Sequence, residues 1–474
     1  MNLSVAASLA GAALVGLLVV GFGWWSAARL WRQPLLLGGL AVGSGLGFSS
    51  CLFFIWLALG LPGAAYPPAE LGLLMLLASL IGLAGGVHRR LEPVRDAGAV
   101  APVEPRWLLV MLGVTLACST TAFVLEAAAQ PHGGWDAWMT WNMHARAIFR
   151  GGEHWGEVLQ ALPAWSHPDY PLLVPGSVAR VWTYGGRETP LGPASVAMLF
   201  TLATVVVLYS SVAVLRSRTQ GALAALLLLG TKFFVLHGTS QFADIPLGFF
   251  FLATLALLAL AGQWSDDRHR LVPLAGALAG LSAWTKNEGL LFVLAVLVGH
   301  GLVVARGEGW RRALRDARAF AFGLAPVLVL LACFKLWLAP PNDLMSDHGL
   351  RATAARVLDG TRYAEVGAGF QRAFLEITAK GLAALVLVAY GALAGLAPAG
   401  SARPGAKTAA IVLGLMVVGY AAVLLTVPTP LLGTNVRSIN RLLLQLWPST
   451  LLAYFLAVRT AEETGALAPR LSPA

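Results

Sequence analysis

"IPLGFFFLATLALLALAG", residues 245–262, runs for eighteen positions without one charged side chain. Coiled as a helix at about 1.5 Å per residue, a run of that length matches the roughly 30 Å hydrocarbon thickness of a bilayer. Comparable runs lie near 5–27, 35–59, 71–88, 107–128, 191–215, 221–238, 271–285, 289–305, 319–339, 381–398, 409–427 and 441–458. Hydrophobic residues make up 57% of the 474 and charged ones 12%, for a mean hydropathy of +0.72. That leaves too little polar surface to clothe a water-soluble core. The chain therefore reads as an all-α polytopic membrane protein with about 13 transmembrane helices. The run at 271–285 is short and reads as half of a broken or re-entrant pair with 289–305.

Lysine and arginine orient the bundle. Arg29 and Arg32; Arg89, Arg90 and Arg95; Arg216 and Arg218; Arg268 and Arg270; Arg306 to Arg318; and Arg403 and Lys407 fall on alternate loops, which the positive-inside rule makes cytoplasmic. The loops 61–70, 129–190, 239–244, 286–288, 340–380 and 428–440 then face outward. The net charge of +10, from 33 basic and 23 acidic residues, is mostly this bias plus contact with anionic lipid, and gives no argument for nucleic acid. The first run lacks a basic n-region and reads as a retained span. Cys51, Cys118 and Cys333 sit inside apolar runs at unrelated spacings, as buried small hydrophobes do. No P-loop, dinucleotide fingerprint or metalloprotease helix motif occurs.

Chemistry must then sit in the outward loops, of which 129–190 and 340–380 are long enough to roof a cavity. The first contains "GGWDAWMTWNMHARAIF", residues 133–149. Trp135, Trp138, Trp141, Ala145, Ile148 and Phe149 recur at steps of three and four, and Asp136, Thr140 and His144 at steps of four. The pattern predicts a helix lying in the interface, with tryptophans at headgroup depth and the carboxylate raised above them. Asp136 has two readings that stay open, a reactive carboxylate and a simple helix N-cap.

Further ionisable residues accumulate on the same side. "AWSHPDYPLLVPG" supplies His167 and Asp169, and "SQFADIPLGFF" sets Asp244 at the mouth of a span. "LSAWTKNEGLL" sets Lys286, Asn287 and Glu288 at another, and "TNVRSINRLLLQLWP" places Arg437 and Arg441 four residues apart at the head of the last span. Ionisable groups at membrane depth are expensive, so their convergence on one leaflet points to a polar site. Singly, each also reads as a cap, a turn partner or a snorkelling side chain. In 340–380, Arg351, Arg356 and Arg362 offer cations that bear on specificity.

The ordered set of "GGWDAW", "HPDYP", "FADIP" and "WTKNEG" resembles the GT-C superfamily of integral membrane glycosyltransferases, which includes protein O-mannosyltransferases and lipid A aminoarabinose transferases. The resemblance covers about residues 107–458 and matches Asp136, His167, Asp244 and Lys286 to the family's acidic, histidine and lysine positions. It implies three parts: extra amino-terminal helices in 1–106, a GT-C-like catalytic core in 107–458, and a short cytoplasmic tail in 459–474. Two departures stand out, a single aspartate where many relatives carry an acidic pair, and three additional spans ahead of the first large loop.

The resemblance further implies sugar transfer from a polyprenyl-phosphate donor to a glycan, lipid or protein acceptor. The expected setting is a bacterial inner membrane with the site facing the periplasm. On this reading Asp136 is the general base, with Asp169 and Asp244 in support, while His167, Lys286, Asn287, Glu288, Arg437 and Arg441 bind substrate. Some members bind a divalent cation at such acids, and the ligand count in this sequence leaves that open. A multi-spanning transporter or lipid-glycan flippase is the alternative, opposed by the lack of a two-half repeat and by polar groups gathered at one face.

Overall fold

The computed structural model describes residues 3–22, 28–83, 105–340, 349–398, 402–460 and 463–464. Arg89, Arg90 and Arg95, residues 341–348 and most of the tail after 460 lie outside the described residues. The principal helices are α1 (Leu3–Leu17), α2 (Pro34–Ala58), α3 (Tyr66–Leu83), α4 (Arg106–Ala129), α5 (Asn142–Gly151), α6 (Leu173–Gly185) and α7 (Leu191–Leu215). They continue with α8 (Asp244–Gln263), α9 (Arg268–Thr285), α10 (Glu288–Glu308), α11 (Trp310–Trp337), α12 (Ala402–Thr426) and α13 (Ile439–Ala457). The described residues contain no strand, only one isolated bridge between Leu396 and Val458.

Among the described residues nine helices are long and apolar enough to cross a membrane, and up to eleven if each of two bent pairs counts as one span. The expected runs at 221–238 and 381–398 are those pairs, Arg218–Gly230 with Lys232–Thr239 bent by 65° and Gly360–Ile377 with Leu382–Ala394 bent by 78°. The runs at 271–285 and 441–458 fall in α9 and α13, whose heads carry Arg268, His269 and Arg270, or Asn440, Arg441 and Gln445. Those polar heads lower their mean hydropathy. The short run at 271–285 is no half-helix. Helix α9 covers 18 residues by itself.

Helix α8 is the axis of the bundle. Its most apolar stretch is 94% buried, against 11% for α4 at the periphery, which is why its sequence is apolar on every face. Phe200, Phe249 and Phe250 meet edge to face around it, and Phe251 stacks on Phe292 at 4.1 Å. Lipid gives little hydrophobic drive between helices, so close approach depends on small residues. At the α9–α11 crossing, a Cβ at Gly276 would lie 2.0 Å from the Phe320 carbonyl oxygen, and one at Gly323 would lie 1.8 Å from that of Pro273. The α1–α2 crossing repeats the device with Gly16 against Ala41 and Gly45 against Ala12.

The ends of the bundle differ in charge. At one end Arg29 faces Asp266 and Asp267, Arg216 meets Glu463, and Arg268 bridges Glu308 and Asp316. The opposite end collects the loops near residues 136, 169, 244, 286 and 441. Gly323→Ala is expected to lower stability by about 1–3 kcal/mol, because backbone blocks the new methyl. Detergent unfolding curves of this variant beside Gly414→Ala, where a Cβ meets nothing within 4 Å, check it; equal midpoints would remove the close-crossing argument.

Candidate active site

The segment between α4 and α5 is stitched to the start of α8. Gly134 N–H donates to the Ser240 carbonyl at 3.0 Å, Asn142 Nδ2 to Gln241 Oε1 at 2.9 Å, and Gln241 Nε2 to the Pro131 carbonyl at 3.2 Å. Gly133 has φ +72°, and a Cβ there would stand 2.6 Å from the Ser240 oxygen, so only glycine suits both the angle and the space. These contacts bring Asp136 beside Asp244.

The tryptophans do not form one stripe. Residues Ala137–Trp141 make a wide π turn, whose additional residue rotates the helix after it. Trp141 is buried and stacks on Tyr170 at 5.5 Å, whereas Trp135 and Trp138 stay exposed as an edge-to-face pair. The buried stripe is Ala137, Trp141, His144, Ala145 and Ile148, so the face expected to be polar and outward is partly the packed one. His144 Nε2 donates to the Ser166 carbonyl at 3.0 Å, and burial pushes its pKa down to about 4, leaving a neutral ring at pH 7. Nor does Asp136 cap its helix, since its side chain makes no capping hydrogen bond.

Asp136 instead accepts from Arg441. The Arg441 Nη1 to Asp136 Oδ2 distance is 2.5 Å, and Arg441 Nε reaches Asp244 Oδ2 at 2.9 Å. Asp244 is wholly buried and also accepts from Lys286 Nζ at 3.2 Å and Gln445 Nε2 at 2.6 Å, with Tyr420 orienting Gln445. Lys286 bridges on to Glu288 at 2.7 Å. Alongside, Asn287 Nδ2 donates to Asp169 Oδ2 at 3.0 Å, and Lys335 Nζ to the Asp169 carbonyl at 2.5 Å and to Asn287 Oδ1 at 2.9 Å. His167, at φ +54°, stacks on the same Tyr170 ring at 5.0 Å.

All but one of the expected site residues thus join the cluster at this end of the bundle. Arg437 is the exception. Helix Thr429–Arg437 ends at it and α13 starts at Ile439, so Ser438 interrupts the helix between Arg437 and Arg441, and their four-residue spacing does not set them on one helical face; Arg437 is exposed. Arg356 and Arg362 donate to the carbonyls of Thr426, Leu424 and Val427 at the end of α12, where a helix has unpaired acceptors. The sequence reading missed Lys335, Gln445, Tyr170 and His237, whose Nε2 stands 3.8 Å from Asp244 Oδ2. A lone lysine at the end of an apolar run was the signal for Lys335.

Among the described residues Asp136, Asp169, Asp244 and Glu288 are met by the cations Lys286, Lys335 and Arg441. Each carboxylate is engaged by a cation, and among the described residues no three His, Cys, Asp or Glu side chains are placed to hold a metal ion. The donor set does not fit the divalent cation that some GT-C members bind.

Fold and site together define a polytopic all-α membrane protein with an ionic site at one end of its bundle. Residues 189–337 match the family model described as dolichyl-phosphate-mannose-protein mannosyltransferase. The match supports a membrane glycosyltransferase of GT-C type, the class the motifs resemble, over a transporter or flippase. It runs from α7 through α11 and contains Asp244, Lys286, Asn287, Glu288 and Lys335; Asp136, His167, Asp169, Arg437 and Arg441 lie outside it. No curated protein and no solved structure matches the chain.

Asp244→Asn is expected to cost about 3 kcal/mol, since it leaves Lys286 and Arg441 turned toward a neutral amide. Denaturant unfolding in micelles checks this, and wild-type stability would show that Asp244 is no clamp.

Proposed function

We propose that the chain transfers a sugar from a polyprenyl-phosphate donor to a glycan, lipid or protein acceptor at the outward face of the membrane, with Asp136 as general base. The observation carrying this reading is the contrast among the acids. Asp169 and Asp244 are buried, while the Asp136 side chain is 34% exposed beside a cation that can meet phosphate. In the proposed step the acceptor hydroxyl oxygen attacks the anomeric carbon. Its proton passes to the Asp136 carboxylate, the carbon–oxygen bond to phosphate breaks, and polyprenyl phosphate leaves with that electron pair. One displacement inverts the anomeric centre.

Arg441 and Lys286 stabilise charge on the departing phosphate. Asp244 holds both cations in place, and Asp169 with Asn287 and Lys335 fixes the turn that carries Lys286 and Glu288. His167 lines the sugar side, and Arg437, exposed at the rim, meets headgroup or donor phosphate. The setting is an inner membrane with the site toward the periplasm. Residues 107–458 form the core, 1–106 an amino-terminal addition and 459–474 a cytoplasmic tail.

Asp136→Asn keeps size and most hydrogen bonding but cannot take a proton at neutral pH. Turnover with a polyprenyl-phosphate sugar should fall about a hundredfold or more; near-normal turnover would end the base assignment. Changing Trp135 and Trp138 together to Ala should leave far more activity than that. A reporter fused after Arg150 should be active only outside the cytoplasm, and one fused after Arg312 only inside. The reverse pattern would move the site to the other leaflet.

A further inference from the structure

Arg441 holds two carboxylates on one guanidinium, and it holds them unequally. Asp244 keeps Lys286 Nζ and Gln445 Nε2 as further donors and is shut away from solvent. The Asp136 carboxylate accepts from Arg441 Nη1 alone among the described residues, with a third of its side chain exposed. The guanidinium lies over the Phe242 ring at 4.7 Å, which holds its plane. Its Nη2 donates to no partner among the described residues. One edge of the fork is therefore fixed by Asp244, and the other ends in a replaceable anion and a free donor. A phosphate group presents two oxygens at the spacing of such a fork.

Resting on the polyprenyl-phosphate donor reading, we propose that donor phosphate displaces Asp136 from Arg441. Two phosphate oxygens take Nη1 and Nη2, Nε stays on Asp244, and no covalent bond changes. The Asp136 carboxylate loses its cation only when donor is seated. The base thus becomes free for the acceptor proton in the same event that positions the leaving group. Arg441 acts as the exchange partner, a positioning role for Asp136 in addition to its contact with phosphate.

Competition for one cation has a signature that a structural role lacks. Removing the competing anion should tighten phosphate binding even as it destroys turnover. Equilibrium binding of polyprenyl phosphate, without sugar, to the full chain in nanodiscs provides the readout. Asp136→Asn, with Asp136→Ala as a second variant should the first fail to fold, is expected to bind roughly two- to fivefold more tightly than wild type, the effect of deleting a partly exposed ion pair. Arg441→Gln should bind at least about tenfold more weakly, and the double variant should match Arg441→Gln.

A gain from Asp136→Asn that persists without Arg441 would mean plain charge repulsion and overturn the exchange. Unchanged or weaker binding in Asp136→Asn, with binding still lost in Arg441→Gln, would also overturn it while leaving the phosphate reading intact. Wild-type binding by Arg441→Gln would remove that reading and the exchange with it.

Discussion

A fully buried aspartate has to be neutralised, and Asp244 sits where the apolar axis of the bundle meets its polar end. An isolated carboxylate there would cost several kcal/mol in lost hydration even after relaxation. Its compensation comes from three places in the chain: Arg441 and Gln445 on α13, Lys286 on the α9–α10 turn, and, through Gln445, Tyr420 on α12. Satisfying one charge thereby ties α8, α9, α10, α12 and α13 at one level. Two further ionic contacts depend on the cations so recruited. Arg441 reaches Asp136, and Lys286 reaches Glu288.

The spans were legible in the sequence because hydropathy is a local property. Over the described residues all thirteen expected runs fall on helices of the bundle, residues 23–27 and 84–88 of the first and third runs lying outside them, and polar heads set α9 and α13 apart from the nine described helices that stand alone as apolar spans. The convergence of Asp136, Asp169, Asp244, Lys286 and Arg441 on one end was legible too, through the alternation of basic loops. Pairings were not. Asp136 and Arg441 are 305 residues apart, and nothing in either neighbourhood specifies the other. Local geometry failed in two places for the same reason, a change of helical register. The π turn at Ala137–Trp141 turned Trp141 inward, and the break at Ser438 separated Arg437 from Arg441. Spacing rules at three and four assume an uninterrupted helix. Lys335 escaped notice because an apolar run counted as span hides the one residue that its packing aims at Asp169.

The site's two halves are held by different physics. Helices α9, α10 and α11 are fastened at the far end by Arg268, which bonds Asp316 and Glu308, with His300 on Asp316 at 3.1 Å. Their near ends are fastened through Lys286, Glu288, Asn287 and Lys335. Between these lies the backbone-to-backbone crossing at Gly276 and Gly323. Movement of one of these helices would strip buried charges and open a tight interface together. The segment bearing Asp136 is attached by loop hydrogen bonds near residues 131–134 and 240–241, by the packed face of α5, by Arg146 and Arg150 on Glu188, and by the part-exposed Asp136–Arg441 pair. The proposed exchange at Arg441 accordingly asks for movement of the Asp136 segment, against the floor of α8 to α11. A preorganised floor of fixed cations beneath a movable carboxylate suits a reaction in which a charged leaving group is held still while the base changes partner.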